Sequence, residues 1–516
     1  MELVEKLAGK YEVLKRKRQN WENLWQNVSK YTLPVKGNFT SKLDKGTEVN
    51  DKIFDNTPTI ACEMLAAGLH GMLTNPSIDW FAFKSDMEDS QDNNKWLEYI
   101  KDAVSDEVNR PSAAFSTNIH EVYLDLVVFG TACLYLTWNE NENTLQFQAI
   151  PLEQIYIDED YVGNIDTVFR SFCWSLNKII EVFGEASLPP ELLSHKYEKE
   201  EEFEIVHSVF KEDKKAVSIY WMPEKRHIIK ESSYFEMPYM IARWSKSSSE
   251  VYGRSPAINC LSDIRMLQEL MKETIIAVQL ANRPPLLVPN DDTHNPIDIY
   301  PNALIRYRNG TPPQPLNLAT RPDIAFNFMQ DLRDRIRAAF YTDQLAFGAT
   351  PNRTATEVIE QVNTRNRLLL PILARLTTDL LEPLIERAYN LLERHGMLPE
   401  PPQNTQEVKV EYIGSLAISQ KTSQNDRYLS MLQYVTPFLQ MDPTAVSLLD
   451  IEASLRDIAN SYNLGFVVKD SNQVEEEQAQ ASQINAEQVS LQNEMTAADI
   501  QNKRLQNATL EKNLTL

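Results

Sequence analysis

Residues 251–283 read VYGRSPAINCLSDIRMLQELMKETIIAVQLANR, and this segment predicts one long helix with defined ends. Ser255 is placed to cap the first free N–H groups, and Pro256 takes the first helical position, where proline is tolerated. Two prolines at 284–285 end the segment, because proline cannot continue a helix. The predicted helix, 256–283, would be about 42 Å long at ~1.5 Å per residue.

The apolar side chains of this segment recur at helical spacing and form a broad stripe, which comprises Ile258, Leu261, Ile264, Leu267, Met271, Ile275 and Val278. A helix with so wide an apolar arc is buried on more than one side. Taken alone, the segment fits a core helix of one globular domain. The segments that follow it favour a pair of long helices instead.

Length and charge restrict the class of protein. A chain of 516 residues is too long to fold around one hydrophobic core, so several domains are expected. The formal net charge of −22 makes tight binding to duplex DNA unfavourable, because such binding needs phosphate neutralisation by lysine and arginine. The charge is still compatible with a protein that contacts DNA without binding it tightly.

Cysteine usage and hydropathy indicate a reducing compartment and no membrane insertion. The four cysteines form no CxxC pair and predict buried free thiols in a reducing cytoplasm: Cys62, Cys133, Cys173 and Cys260. The N-terminal MELVEKLAGK carries acids within five residues, unlike a secretory signal. Because no uncharged apolar run reaches 18 residues, no membrane span is expected.

The first half of the chain predicts an α+β domain over residues 1–255. Apolar spacing predicts helices over 1–32, 57–73 and 90–109, and a helical insert near 176–195. Between about 118 and 245 the period changes to two, which predicts mostly antiparallel strands at 134–137, 145–150, 168–174, 204–210 and 217–221. The basic run KRKR at 15–18 fits a solvated helix face or a nucleic-acid patch.

After the long helix the amino-acid composition changes. Residues 284–322 hold nine of the 27 prolines, which confine any strand there to an edge. A short strand is predicted at 304–308, before an Asn309-Gly310 turn. A second amphipathic helix follows at 322–341. Two antiparallel long helices joined by a small proline-rich module are therefore expected.

The C-terminal part predicts a loop at 342–353 and then another long helix. Thr354 and Glu357 form a capping box at its start, and Gly396 follows its end. Pro371 and Pro383 predict kinks within it. A strand is expected at 408–413 and helices over 421–516. The polar tail 471–516 fits either identical helices packed in a ring or a partly disordered segment.

No catalytic chemistry is predicted. The sequence has no GxxxxGK[ST], GxGxxG, GxSxG or HExxH motif. The seven histidines are scattered and none has a metal-ligand partner three or four residues away: His70, His120, His195, His207, His227, His294 and His395. For GLHGM at 68–72, helix packing through glycine is favoured over a histidine site. We therefore expect no enzyme activity, no metal and no cofactor.

The order of elements and three local sequences resemble one family. FDNTPTIACEMLAAGLHGMLTNPSIDWF at 54–81, YGRSPA at 252–257 and residues 354–402 are similar to portal proteins, the head-to-tail connectors of short-tailed, podovirus-type double-stranded DNA phages. The resemblance implies an α+β, mainly helical portal fold. Its parts would be a wing at 1–255, stem helices at 256–283 and 322–341, a clip at 284–321, a tunnel loop at 342–354, a long kinked helix returning to the wing at 355–420 and a crown at 421–516.

The resemblance also implies a structural function. Portals are rings, usually of twelve subunits, at one capsid vertex of the virion, through which double-stranded DNA is packaged and ejected. Implied partners are further copies of the chain, the packaging terminase, the major capsid and scaffolding proteins and the tail adaptor proteins, without a membrane. Assembly would occur in the host cytoplasm. Alternatives are another virion component, such as an internal core or tail-tube protein, or an enzyme with a diverged site.

Simple geometry permits such a ring. Twelve helices spaced by ~10 Å have a circumference of about 120 Å and a radius of about 19 Å. Subtracting roughly 5 Å for each helix leaves a hole of about 28 Å, which admits a B-form duplex. Twelve copies would carry a charge of about −264, so the channel would repel phosphates and let DNA slide.

The portal reading assigns candidate residues to three surfaces. Subunit contacts of the stem are expected from Ile258, Leu261, Ile264, Met271, Ile275 and Val278. A DNA-facing tunnel loop is expected to present Gln344, Asn352 and Arg353, and Arg365 and Arg367 of the following helix are expected to add positive charge at the same constriction. Docking at the clip is expected from Arg306, Tyr307 and Arg308.

Overall fold

The computed structural model describes residues 2–41, 44, 46–85, 91–193, 201–213, 215–284, 286–289, 300, 304–307, 314–315, 322–345, 367–401 and 408–413. The chain divides into two compact units, one of residues 1–88 and 92–416 and one of residues 89–91 and 417–516. The elements below belong to the first unit, apart from Gln91 at the start of one helix. The helices predicted over 421–516 lie outside the described residues.

The helices follow the predicted order closely. They are α1 (Glu2–Thr32), α2 (Thr57–Leu73), α3 (Gln91–Val108), α4 (Phe115–Phe129), α5 (Leu176–Phe183), α6 (Pro190–Leu193), α7 (Pro256–Asn259), α8 (Leu261–Asn282), α9 (Pro322–Ala339), α10 (Thr342–Leu345), α11 (367–376) and α12 (Glu382–Arg394). A π-helical segment, Thr377–Leu381, separates α11 from α12.

Within the described residues the strands form four sheets. They are β1 (Phe81–Ser85), β2 (Thr131–Asn139), β3 (Thr144–Ile150), β4 (Ile155–Glu159), β5 (Ile165–Ser175), β6 (Glu202–Glu212), β7 (Lys215–Met222), β8 (His227–Tyr234), β9 (Tyr239–Arg243), β10 (Leu286–Pro289), β11 (Leu304–Tyr307), β12 (Gln314–Pro315) and β13 (Val408–Tyr412). The five predicted strands of the first half are confirmed, whereas β1, β4, β8 and β9 were not predicted.

Antiparallel pairing joins the strands of the first half. Strands β4 to β8 form a five-stranded sheet in chain order, and β2 lies between β3 and β9 in a second sheet. The main core lies between the second sheet and helices α2 and α4, and it extends to α8, α9 and α12. The prediction of an α+β fold is confirmed.

Helix α4 corrects the prediction that strands begin near residue 118. Its sequence, FSTNIHEVYLDLVVF, is rich in β-branched and aromatic residues, which favour strands in isolation. The helix is nonetheless stable because nearly every large side chain is buried, including Ile119, Tyr123 and Leu126 at about 0% exposure. Gly130 ends it in a left-handed conformation, with its N–H donating to the Leu126 carbonyl.

The predicted long helix is interrupted once, at Cys260. The Ser255 hydroxyl accepts a hydrogen bond from the Ile258 N–H at 2.9 Å, which confirms the cap, and it donates to the Val128 carbonyl at 2.7 Å. These bonds hold the short α7 against the end of α4. The backbone of Cys260 leaves the helical region (φ −100°, ψ 15°), and α8 continues as a separate 22-residue helix.

The segment after α8 contains a small sheet. Strand β10 is its centre, parallel to β11 and antiparallel to β12. Strand β11 confirms the strand predicted at 304–308, and the Asn309-Gly310 turn lies outside the described residues. Helix α9 confirms the second long helix. Helix α10 corrects the start of the predicted loop at 342, because residues 342–345 form a helical turn.

The last long helix contains an irregularity near Pro383, as predicted. The Glu382 N–H donates to the Thr377 carbonyl five residues earlier, and Pro383 has no N–H to continue the α-helical pattern. No interruption occurs around Pro371, which lies within α11. Gly396, with φ 68°, ends α12 as predicted. Strand β13 then pairs antiparallel with β1.

The cysteine prediction holds for three of the four thiols. Cys62, Cys133 and Cys260 are buried and free. Cys173 is exposed on β5, which corrects the expectation that all four are buried. Its side chain faces outward because alternate residues of a strand point to opposite faces of the sheet.

Candidate functional site: the long-helix pair

Helices α8 and α9, here called the long-helix pair, pack against each other at the end nearest the core. Five side chains of the pair are fully buried there together with Phe340, the residue that follows α9; the five are Ile264, Leu267, Met329, Leu332 and Ile336. Each contributes roughly 1.5–3 kcal/mol by leaving water. Their spacing of three and four residues is what the apolar stripes of both helices predicted.

A buried amide joins α8 to the segment that precedes α2. The Gln268 side chain is 3% exposed, and its Oε1 accepts the backbone N–H groups of Phe54 at 2.7 Å and Asp55 at 2.9 Å. Its Nε2 donates to the Asp55 carbonyl at 2.8 Å. All the main polar atoms of this amide are therefore satisfied by one short stretch of backbone.

The Asp55 carboxylate completes the connection to α9 and α2. Its Oδ2 accepts two bonds from Arg333, from Nε at 2.9 Å and Nη2 at 2.8 Å. Its Oδ1 accepts the Thr57 backbone N–H at 2.8 Å. We call these four residues, Asp55, Thr57, Gln268 and Arg333, the Asp55 clamp. The clamp ties the first turn of α2 to both long helices.

The environment of Asp55 favours its charged form. Burial alone raises the pKa of this carboxyl, but the hydrogen bonds from Thr57 and the charge and hydrogen bonds of Arg333 outweigh burial and lower the pKa below its ordinary value. The clamp is therefore a charge-assisted contact near neutral pH.

The clamp was not predicted, although its sequence carries two signals. Asp55 lies within the FDNTP motif at 54–58 that supports the family resemblance. Gln268 is a polar residue beside Leu267 in an otherwise apolar stripe. A buried polar side chain at such a position requires a hydrogen-bonding partner.

The other end of the long-helix pair leaves apolar side chains in solvent. Ile275, Ile276 and Val278 on α8 are 40%, 38% and 39% exposed, and Phe326 and Phe328 on α9 are 51% and 41% exposed. We call these five side chains the uncovered face. Several exposed apolar side chains at one end of a helix pair are typical of an interaction surface.

The predicted subunit contacts divide into two groups. Ile258, Leu261 and Ile264 are buried inside the subunit, so they belong to its own core, which corrects their assignment to a surface. Met271 is partly buried, whereas Ile275 and Val278 are exposed. The stripe thus changes from an internal to an external surface along α8.

Most of the predicted loop and docking side chains lie outside the described residues. Asn352, Arg353, Arg365 and Arg308 are among them. Arg367 is exposed at the start of α11. For three further residues the structure describes only the backbone, Gln344 in α10 and Arg306 and Tyr307 in β11.

A second ion-pair network holds the π-helical segment. Arg243 at the end of β9 is 4% exposed and donates to Asp379 Oδ2 and Glu159 Oε2, both at 3.2 Å. Lys246 also donates to Glu159 Oε2, at 2.6 Å. Arg243 is buried and contacts both carboxylates, so removal of both would leave its charge uncompensated. The network joins the π-helical segment to the ends of β4 and β9.

The basic run at 15–18 has a structural component. Arg18 is 3% exposed, stacks over the Tyr156 ring at 3.7 Å and donates to the carbonyls of Leu152, Glu153 and Ile155. The other three residues of the run are exposed. Arg18 therefore anchors α1 to the β3–β4 connection. The other three residues of the run form a solvated helix face.

The histidines of α2 and α4 meet without forming a metal site. The rings of His70 and His120 are 5.7 Å apart, and burial, then the charge of His120, lowers the pKa of His70. Within the described ranges no group of His, Cys, Asp or Glu side chains could hold a metal ion. No helix in the described part of the chain is both long and apolar enough to cross a membrane.

This architecture defines an α+β protein that is organised around a long-helix pair with exposed apolar side chains at one end. The chain matches bacteriophage head to tail connecting proteins over residues 4–464. It is 26% identical to a probable portal protein of Bordetella phage BPP-1, over 83% of this chain and 82% of that protein. It is 24% identical to a portal protein of Salmonella phage epsilon15, over 87% and 86%.

The chain therefore belongs to the bacteriophage head-to-tail connecting protein family. This finding confirms the family predicted from the sequence and, with it, the portal role.

Proposed function

We propose that copies of this chain close into a ring at one vertex of the capsid, and that double-stranded DNA enters and leaves through its channel. The observation that carries the proposal is the uncovered face of the long-helix pair. A helix pair that buries its stripe at one end and exposes it at the other is suited to contact further copies. The portal names of the two similar proteins support the same conclusion.

The proposed parts of the subunit keep the predicted boundaries. Helices α7 and α8 correspond to the first stem helix and α9 to the second, and the sheet of β10 to β12 lies within the proposed clip. The remaining parts are a wing at 1–255, a tunnel loop at 342–354, a kinked helix with its return at 355–420 and a crown at 421–516. We propose no enzyme activity for any of them, since the portal role is structural.

Charge pairing on the long-helix pair supports passage of DNA rather than binding. Three exposed ion pairs join cations to acids one turn away, namely Arg335–Asp331 at 2.7 Å, Arg337–Asp334 at 3.1 Å and Lys272–Glu269 at 3.5 Å. Such pairs add little stability. They do neutralise the cations that would otherwise attract phosphates, and the net charge of −22 strengthens this effect.

The proposed partners follow from the portal role. The clip, with Arg306, Tyr307 and Arg308, would dock the packaging terminase and later the tail adaptor proteins. The wing and its surroundings would meet the major capsid and scaffolding proteins during assembly in the host cytoplasm. The finished protein would reside in the virion at the portal vertex.

The tunnel loop is proposed to slow backward movement of packaged DNA. Arg353, Arg365 and Arg367 would place a few cations within an otherwise acidic channel, where they would meet phosphates briefly. In virions carrying Arg353→Ala and a shortened loop, we expect packaging to start normally and packaged genomes to leak. Unchanged retention of the genome would rule out this role.

The mass of the purified assembly tests the ring. Twelve copies of the 59.3 kDa chain would give about 710 kDa by native mass spectrometry. Electron microscopy of the same sample should show closed rings with a central hole. A compact monomer, or an open tube or fibre, would contradict the proposal.

A further inference from the structure

The outer side of α2 carries a second exposed stripe. Ile60, Met64, Ala67 and Gly71 are all exposed and follow one another at steps of four, three and four residues. Ile60 is 53% exposed and Met64 37%. This spacing is that of a seam between two packed helices. The stripe spans about 17 Å along the helix axis.

The two glycines of the GLHGM segment differ in what surrounds them. A Cβ at Gly68 would lie 2.9 Å from the Leu345 side chain, so packing of α10 within the subunit explains this glycine. A Cβ at Gly71 would meet no atom within 4 Å. Gly71 also costs the helix roughly 0.5–1 kcal/mol relative to alanine. The packing of the subunit therefore gives no reason for glycine at 71, whereas close approach of another helix would.

The chemistry of the stripe favours a protein partner. Its four members are apolar, and the exposed side chain between them is the acidic Glu63. Nucleic acid is disfavoured because a carboxylate at the surface repels phosphates. The chain itself exposes a second apolar helix surface, which is formed by Ile275, Ile276 and Val278 on α8.

A closed ring joins two different faces of each subunit, so every copy must supply both halves of one contact. Two exposed apolar helix surfaces on one chain meet this requirement. We infer that the outer stripe of α2 is one half of the contact between subunits, and that its occupant is a second copy of this chain. The inference rests on the proposed ring.

Enlarging Gly71 tests the inference, with Gly9 as a matched control. Gly9 is also an exposed helical glycine whose Cβ would meet nothing within 4 Å, but it lies on α1. For Gly71→Trp we expect at least a tenfold loss of rings by native mass spectrometry, with an unchanged circular dichroism spectrum. Gly9→Trp should assemble as the parent protein does. Met64→Glu, on the same stripe, should reproduce the loss.

The outcomes separate the two proposals. If the parent protein forms no ring, the proposed function is wrong. If the parent forms rings and both α2 variants form them equally well and with equal resistance to denaturant, the α2 inference is wrong. Should Gly71→Trp fail to fold, Met64→Glu decides alone. Normal rings that lose binding of another virion protein would assign the stripe to that protein and would also overturn the inference.

Discussion

Replacing Ile275 and Val278 by aspartate is expected to dissociate the ring while the subunit stays folded. Both side chains are about 40% exposed in the single chain, so water can solvate the new charges there. In a ring the same charges would be buried without partners, at a cost of several kcal/mol per site. Native mass spectrometry should show monomers, and thermal unfolding of the subunit should be little changed.

Ile264→Asp provides the matched contrast on the same helix. Ile264 is fully buried between α8 and the subunit core, so a charge there should unfold the subunit itself. If the Ile275 and Val278 variant keeps the parent mass and stability, the uncovered face is not part of the subunit contact.

Asp55→Asn is expected to destabilise the subunit by about 2 kcal/mol at neutral pH. The change removes the charge that pairs with Arg333, and loss of one partner of a buried pair costs about 3–5 kcal/mol. We reduce that figure because Arg333 keeps 23% of its side chain in water. Urea unfolding of both proteins measures the difference. Arg335→Met, which breaks an exposed pair with Asp331, should cost at most about 1 kcal/mol.

The difference between the parent and Asp55→Asn should depend on pH. Folding lowers the pKa of Asp55, so its contribution to stability is fully present above the unfolded pKa, about 3.9. The contribution disappears as the pH falls through the lower, folded pKa. The two unfolding free energies should therefore converge in acid. A constant gap between pH 7 and pH 3 would show that the charge of Asp55 is not responsible.

Much of the helical organisation could be predicted from the sequence, since it depends on local spacing. The stripe from Ile264 to Val278, the cap at Ser255 and the glycine at 396 each act within one helix. These features determine where helices begin and end, regardless of distant contacts. The order of the long helices follows from them.

Helix α4 could not be predicted from its local sequence. Its apolar residues do not follow the spacing of an amphipathic helix. Their types are those that favour a strand. Burial of nearly every large side chain overrides that preference. Burial arises from α1, α2 and β2 packing around the helix, and no short window of sequence contains those neighbours.

The Asp55 clamp could not be predicted for a related reason. Asp55 and Arg333 are 278 residues apart in the chain, and Asp55 and Gln268 are 213 apart. Their meeting depends on the fold of everything between them. The sequence could indicate that Gln268 needs a partner, but not which one.

The π-helical segment has a consequence for insertions and deletions. Leu376 and Leu381 are both buried although they lie five positions apart, and the α-helical steps resume from Leu381 to Ile385. The helix has thus absorbed one extra residue while keeping the apolar faces of α11 and α12 in phase. A further residue without another wide turn would rotate everything beyond it by about 100°. That rotation would carry Arg387, the buried arginine of α12, away from the Leu136 carbonyl that it binds.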